Sequence, residues 1–336
     1  MERGRRAMLA KGVMMAGMMT AALALTGCGR LVDARATARE TAFEAQFPPT
    51  GQLLEVNGTT VHAHIEGTGP DLILLHGASG SSRDFTFDLV DRLKDRYRVI
   101  ALDRPGLGWT DAIGDQTANP IAQAEVLRAA AGQLGVRDPI VLGHSYGGAV
   151  ALAWGLRAPG DTAALVIVSG ATMPWPGNLT GWYAFIGTPL GDRVGPPLLT
   201  ALAPVALGDR IMAGIFAPQP VPPGYDDYIG VGLAVRRQNY RANAAQISGL
   251  RPYLRVMAPQ YPRLTLPVEV VHGGQDRIVP ASIHALPLAE ALPDARLTIL
   301  QDQGHMPQHG DPQAILDAID RAADRARDRT ERRQAP

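Results

Sequence analysis

One stretch limits what this chain can fold into more than any other: Pro139-Ile140-Val141-Leu142-Gly143-His144-Ser145-Tyr146-Gly147-Gly148, continued by Ala149-Val150-Ala151-Leu152-Ala153-Trp154. An apolar β run feeds a G-x-S-x-G turn, and the turn opens an alanine-rich helix. A strand that reverses so sharply into a helix holds the central residue of the turn in a strained backbone conformation. The residues beside it approach neighbouring backbone and must be small. Gly143 and Gly147 meet that demand, and Ser145 is left projecting with its hydroxyl exposed. Glycine and serine are common turn formers, so the five-residue pattern alone is weak. The strand before it and the helix after it give it weight against the alternative of an ordinary βα turn.

The rest of the chain alternates in the same way. Leu53–Val56 and Thr60–Ile65 flank Asn57-Gly58, a two-residue hairpin signal. Short continuous apolar runs follow at Leu72–Leu75, Arg98–Leu102, Ile140–Leu142, Ala164–Val168, Val268–Val271 and Arg296–Leu300, as buried parallel strands show. Helical segments lie between them, among them Asn119–Leu134 and Pro280–Leu292. The pattern predicts an α/β fold, a mostly parallel eight-stranded sheet with helices on both faces. About a hundred residues separate Val168 from Val268, far more than a crossover needs, and ten of the 18 aromatic residues fall there. That interval reads as a helical cap inserted after strand 6, with short helices around Trp182–Ile186, Pro197–Leu207 and Gly230–Ile247. Its aromatics are expected partly to line a pocket against the G-x-S-x-G turn and partly to form the cap's own core.

The ends stand apart. Arg3, Arg5, Arg6 and Lys11 precede an apolar stretch, Gly12–Leu25, too short to span a bilayer comfortably as a mature helix. It closes in Leu25-Thr26-Gly27-Cys28, which resembles a bacterial lipobox, where signal peptidase II cleaves before a diacylated cysteine. Cys28 is the only cysteine, and lipidation accounts for it without a disulfide partner. An ordinary signal peptide is the alternative. The expected organisation is a signal peptide over 1–27, a tether or short surface helix over 28–50, core over 51–170, cap over 171–263, core again over 264–320, and a charged tail over 321–336 that frays into solvent. This places the chain in the bacterial cell envelope, exported and lipid-anchored to a membrane. With 32 basic and 32 acidic residues the formal charge is zero, which gives no reason to expect a nucleic-acid partner.

A serine hydroxyl is a poor nucleophile until a base takes its proton, so the sequence should also supply a histidine, and a carboxylate to fix its tautomer. It does, in the order Ser…Asp…His. Gly273-Gly274-Gln275-Asp276 follows one strand and Gly304-His305 follows the last, both at strand carboxyl ends where ligand groups of open α/β sheets gather. Asp302 is the rival acid beside His305. Together these motifs resemble the α/β-hydrolase superfamily from about Leu53 to Ile319. The resemblance implies a catalytic Ser145, Asp276 and His305. It also implies an oxyanion hole made by the backbone N–H groups of Ala78, in His76-Gly77-Ala78-Ser79, and of Tyr146, the residue after the nucleophile. Asp103-Arg104-Pro105-Gly106-Leu107-Gly108 resembles the family's D-x-x-G-x-G turn and reads as structural.

Departures narrow the activity. Serine at the turn argues against the family's dehalogenases and epoxide hydrolases, whose nucleophile is usually aspartate. An H-G-G-G motif is absent, and so is the proline often found after H-G-x. What remains is a capped serine hydrolase that cleaves a carboxylic ester, a lactone or a related apolar acyl compound through an acyl-enzyme, with no cofactor and no metal. Carbon–carbon bond hydrolase, cofactor-free haloperoxidase-like and non-catalytic ligand-binding readings are the alternatives. His62 and His64 share one face of a strand, read as a solvated hairpin face rather than a metal site. His144 reads as packing, and His272, His284 and His309 have no nameable partner.

Overall fold

The computed structural model describes residues 29–177, 181–186 and 188–334. Cys28, the segment before it, and the side chains of Trp182 and Tyr183 lie outside the described residues. The strands are β1 (Gln52–Val56), β2 (Thr59–Glu66), β3 (Asp71–Leu75), β4 (Arg98–Leu102), β5 (Ile140–His144), β6 (Ala164–Val168), β7 (Val268–Gly273) and β8 (Ala295–Leu300). They form one sheet in the order β1-β2-β4-β3-β5-β6-β7-β8. The pairs β1–β2 and β2–β4 are antiparallel and every other pair is parallel, as the alternating pattern predicts. The hairpin turn is held by Asn57 and Gly58, both at positive φ.

The continuous apolar runs are explained by burial on two sides. Side chains alternate across a strand, so Ile73 and Leu75 face one core while Leu72 and Leu74 face the other; Val141, Leu165 and Ile167 join the first, Leu142, Val166 and Val168 the second. Helices α4 (Pro120–Gln133) and α5 (Tyr146–Arg157) cover the first face. Short helices α2 (Arg83–Thr86) and α3 (Leu89–Leu93) and the final helix, residues 312–334, cover the second. Asn119 caps α4 by accepting the Ile121 N–H at 3.0 Å, with Pro120 in the first turn.

The cap inserted between β6 and β7 contains α6 (Gly181–Ile186), α7 (Pro189–Leu202), α8 (Val205–Phe216), α9 (Tyr225–Ile229), α10 (Val231–Ala234) and α11 (Arg237–Met257). Two helices then lead to the last, α12 (Ala285–Ala291) and α13 (Pro307–Gly310), so that the final helix is α14 (Pro312–Gln334).

The N-terminal segment takes the surface-helix alternative rather than the tether, while the C-terminal end differs from the expected frayed tail. Residues 29–46 form a helix, α1, fastened to the cap. Ala36 is buried in that contact, and Glu40 accepts the backbone N–H of Arg237 at 2.7 Å while its other oxygen meets the Arg237 guanidinium at 2.7 Å. Glu40 thus caps the first turn of α11 from another helix. Beyond α1, the Phe47 carbonyl accepts the Trp109 indole N–H at 3.1 Å.

At the other end, α14 runs unbroken through the charged segment. Its apolar stripe is real but built from small residues, Ile315, Ala318, Ile319, Ala322 and Ala326, all packed on the sheet. Arg321 and Arg325 are drawn in by Glu269, a carboxylate near the start of β7 with no solvent exposure, at 3.0 and 2.5 Å. Replacing Arg321 and Arg325 by alanine leaves that buried charge unpaired. Such changes cost ~3–5 kcal/mol of unfolding free energy. Urea titration is expected to show this loss, and a further Glu269→Leu change in the same background to recover most of it.

Candidate active site

Four loops at the carboxyl ends of β3, β5, β7 and β8 converge. Ser145 follows β5 with φ 54° and ψ −119°, a conformation that L-residues rarely adopt. Two close approaches hold it there. A Cβ on Gly147 would lie 2.1 Å from the Leu75 carbonyl oxygen, and one on Gly143 2.2 Å from the Gly147 oxygen. The Ser145 N–H donates to the Val168 carbonyl at 2.9 Å, and the Ser145 carbonyl accepts from Gly148 and Ala171, both at 3.0 Å. The turn is therefore over-determined by its neighbours.

The three sequence-predicted side chains meet. Ser145 Oγ lies 3.0 Å from His305 Nε2, and His305 Nδ1 lies 2.7 Å from Asp276 Oδ2. Asp276 Oδ1 accepts the N–H groups of Ile278 and Val279, each at 2.9 Å. Burial opposes ionisation of Asp276, but hydrogen bonds from His272 and His305 and the Val279 amide outweigh it and hold the carboxyl well below the usual carboxylate range. The rival, Asp302, is exposed, and its carbonyl accepts from Gln219.

Tyr146 follows Ser145, and Ala78 follows Gly77, where a Cβ would lie 3.1 Å from that of Ser145; among the described residues neither the Ala78 nor the Tyr146 backbone N–H donates a hydrogen bond. The loop that carries Ala78 is fixed by a group the sequence reading passed over as structural. Arg104 is fully buried and faces no carboxylate at hydrogen-bond distance. Its Nε donates to the His76 carbonyl at 2.7 Å and its Nη2 to the Gly77 carbonyl at 2.9 Å. Its Nη1 reaches Gln123 at 2.9 Å and Gln246 of α11 at 2.6 Å, and its guanidinium lies 4.4 Å from the Tyr146 ring centroid. Burial pulls its pKa down to about 10, which leaves it charged at neutral pH. A trans peptide points its C=O and N–H in opposite directions. A cation on the Gly77 oxygen therefore aims and polarises the Ala78 N–H on the other side.

The chain matches the model of the alpha/beta hydrolase family over residues 72–318. It belongs to that family. It is 26% identical over 286 residues to an uncharacterized protein of Mycobacterium tuberculosis, covering 82% of each chain. It is 27% identical to the 2-hydroxy-6-oxononadienedioate/2-hydroxy-6-oxononatrienedioate hydrolase of Klebsiella pneumoniae, covering 81% of this chain and 96% of that one. A thermophilic esterase from Thermogutta terrifontis superposes with a TM-score of 0.66 at 20% identity, covering 82% of this chain and 99% of the other.

Within this alpha/beta hydrolase the remaining histidines are engaged rather than idle. His62, expected on a solvated face, is buried: its Nδ1 bonds Asp103 at 2.8 Å and its Nε2 accepts the Gly51 N–H at 3.2 Å. Asp103 also accepts the Ser82 and Trp109 amides at 2.5 and 2.8 Å, so the D-x-x-G-x-G turn ties three loops together. His64 bonds Glu66 and Thr50, away from His62. His144 lies under the serine, where its Nε2 donates to the His305 carbonyl at 2.9 Å and so positions the His305 backbone. His309 meets the buried Asp84 at 2.8 Å, and Tyr225 of the cap donates to the same carboxylate at 2.6 Å. The described cap aromatics Phe216 and Tyr225 stack with Phe87 and His309 in a cluster that includes Met306, next to His305. From α11, Asn239, Asn243 and Gln246 project from one face onto Gly108, Ser79 and Arg104.

Burial pulls His76, His144 and His284 each down to about 4 from the ordinary 6.5. Each stays neutral in the native chain while the unfolded chain takes up a proton. Stability is therefore full above about pH 6.5 and falls as the pH drops toward 4, by up to ~1.4 kcal/mol per pH unit for each histidine. Urea midpoints measured from pH 7 to 5 are expected to fall steeply, and a flat profile would contradict this.

Proposed function

We propose that this alpha/beta hydrolase is a serine esterase that works through an acyl-enzyme, exported and tied to a membrane by a lipid on Cys28. The observation that carries the catalytic reading is the continuous Ser145–His305–Asp276 chain of hydrogen bonds at 3.0 and 2.7 Å beneath a strained serine. His305 Nε2 takes the hydroxyl proton as Ser145 Oγ attacks the ester carbonyl. The Asp276 carboxylate holds Nδ1–H and stabilises the imidazolium that forms. The tetrahedral oxyanion is received by the Ala78 and Tyr146 amides, in a position where preorganised donors contribute ~3 kcal/mol each. Collapse expels the alcohol, protonated by His305; water, deprotonated by the same imidazole, then releases the acid.

The Klebsiella relative supports a second reading, hydrolysis of a carbon–carbon bond in a vinylogous diketone, with the same three residues in service. A panel of p-nitrophenyl esters, lactones and such diketones separates the two. A fluorophosphonate probe is expected to label the wild-type chain at Ser145 and to leave Ser145→Ala unlabelled. Ester turnover by Ser145→Ala should be lower by four to six orders of magnitude, roughly; turnover at the wild-type rate would sink the reading.

Arg104 acts here as a positioning residue. Arg104→Met is expected to lower kcat by about ten- to a hundredfold, within the range for loss of an oxyanion donor, with KM little changed, and Arg104→Lys to restore part of it. Equal effects on kcat and KM in steady-state assays would argue for a structural role alone.

A further inference from the structure

The cap carries an apolar face that nothing among the described residues covers. On α7, Leu190, Val194, Leu198 and Leu202 recur every fourth residue and are 65%, 39%, 40% and 55% exposed. On α8, Leu207 and Ile211, also four apart, are 39% and 54% exposed. These six account for half of the exposed large hydrophobic residues among those described. A groove of about 410 Å³ runs between the two helices, lined by Val194, Leu198, Leu199, Leu202 and Leu207. Single exposed leucines are ordinary, but a contiguous apolar face of this kind marks an interaction surface.

The neighbouring chain indicates what covers it. The corner between α7 and α8 is gripped by α1, where Arg39 Nη2 donates to the Ala203 carbonyl at 3.0 Å. From Arg39 back to Gly29 is ten residues of helix, about 15 Å, and Leu31 in that stretch is 73% exposed. Gly29, the first described residue, therefore lies about one short helix from the apolar corner. No single described helix is long and apolar enough to cross a membrane, and α7 and α8 are bent by 103° at their junction. That geometry suits two short helices lying in an interface, apolar side down, rather than a span.

We propose that the apolar face of α7 and α8 docks on a phospholipid bilayer, seating the cap in the interface to which Cys28 ties the chain. The proposal rests on the anchored reading above and extends it: esters already dissolved in the bilayer reach the site without crossing water. Helix α11, whose Arg241 pairs with Asp192 of α7 at 3.3 Å, connects this face to Arg104 through Gln246.

The test uses the full chain with vesicles of phosphatidylethanolamine and phosphatidylglycerol. In Leu202→Trp, the introduced indole should be quenched by lipids brominated high on the acyl chain, above the background of the native tryptophans. In the triple variant Leu198→Asp, Leu202→Asp, Ile211→Asp, turnover of soluble p-nitrophenyl butyrate should stay within twofold of wild type. Its turnover of a long-chain p-nitrophenyl ester held in the vesicles should fall at least tenfold. An unquenched indole overturns the proposal. So does vesicle-borne turnover that survives the three changes, or a dimer in detergent that they convert to monomer, which assigns the face to a second copy. If the wild-type chain hydrolyses no soluble ester, the esterase reading fails while the quenching still decides docking. Mass spectrometry of the N-terminal peptide tests the lipid on Cys28 separately.

Discussion

The backbone of α5 is pressed against the end of β3 more closely than any side chain would permit, and the site is built on that contact. Gly147 meets the Leu75 carbonyl where a Cβ would sit at 2.1 Å, and Gly143 meets Gly147 in the same way. Only this proximity lets β5 turn directly into α5 and hold Ser145 at φ 54°, a conformation that costs of order 1–3 kcal/mol and persists because surrounding bonds impose it. The strain has a use. It lifts the hydroxyl clear of its own helix and puts the Tyr146 amide, the first of that helix, beside it with no partner among the described residues.

Around that turn the protein concentrates buried polar groups that share few charges. Arg104 has carbonyl and amide oxygens for neighbours, His76 and His144 are kept neutral by burial, and Asp84 is satisfied by His309, Tyr225 and Gln308. In a low-dielectric interior such groups hold one arrangement strongly, because any other leaves a donor or acceptor unmatched. Arg104 touches the H-G-A loop, α4 and α11 at once, which makes cap position and loop geometry mutually dependent.

Much of this was legible in the sequence, and for a definite reason. Strand runs, the G-x-S-x-G turn and the Gly-x-x-Asp and Gly-His turns are local signals, each spelled out within about ten residues. All eight strands and the meeting of Ser145, Asp276 and His305 follow from them once the strands pair in parallel. The passed-over residues are those whose meaning depends on partners far along the chain. Arg321 and Arg325 read as solvated tail because their partner, Glu269, lies more than 50 residues earlier in β7. The apolar stripe of α14 was overlooked because its later members are alanines. Glu40 and Arg237, His62 and Asp103, and Arg104 and Gln246 are separated by 197, 41 and 142 residues. One signal was available: a cation two places after the apolar strand β4 must be either exposed or have its donors taken up by buried acceptors, and Arg104 is there.

By itself, then, the sequence determined the sheet, the G-x-S-x-G turn and the identity of three converging side chains, because strand periodicity and glycine at sites of close approach are properties of short segments. Tertiary structure alone decided which charges are buried, which loop Arg104 supports, that α1 is bolted to the cap, and which face of the cap remains bare. Those outcomes depend on distances between segments that share no sequence neighbourhood, and burial fixes them only after the chain has closed.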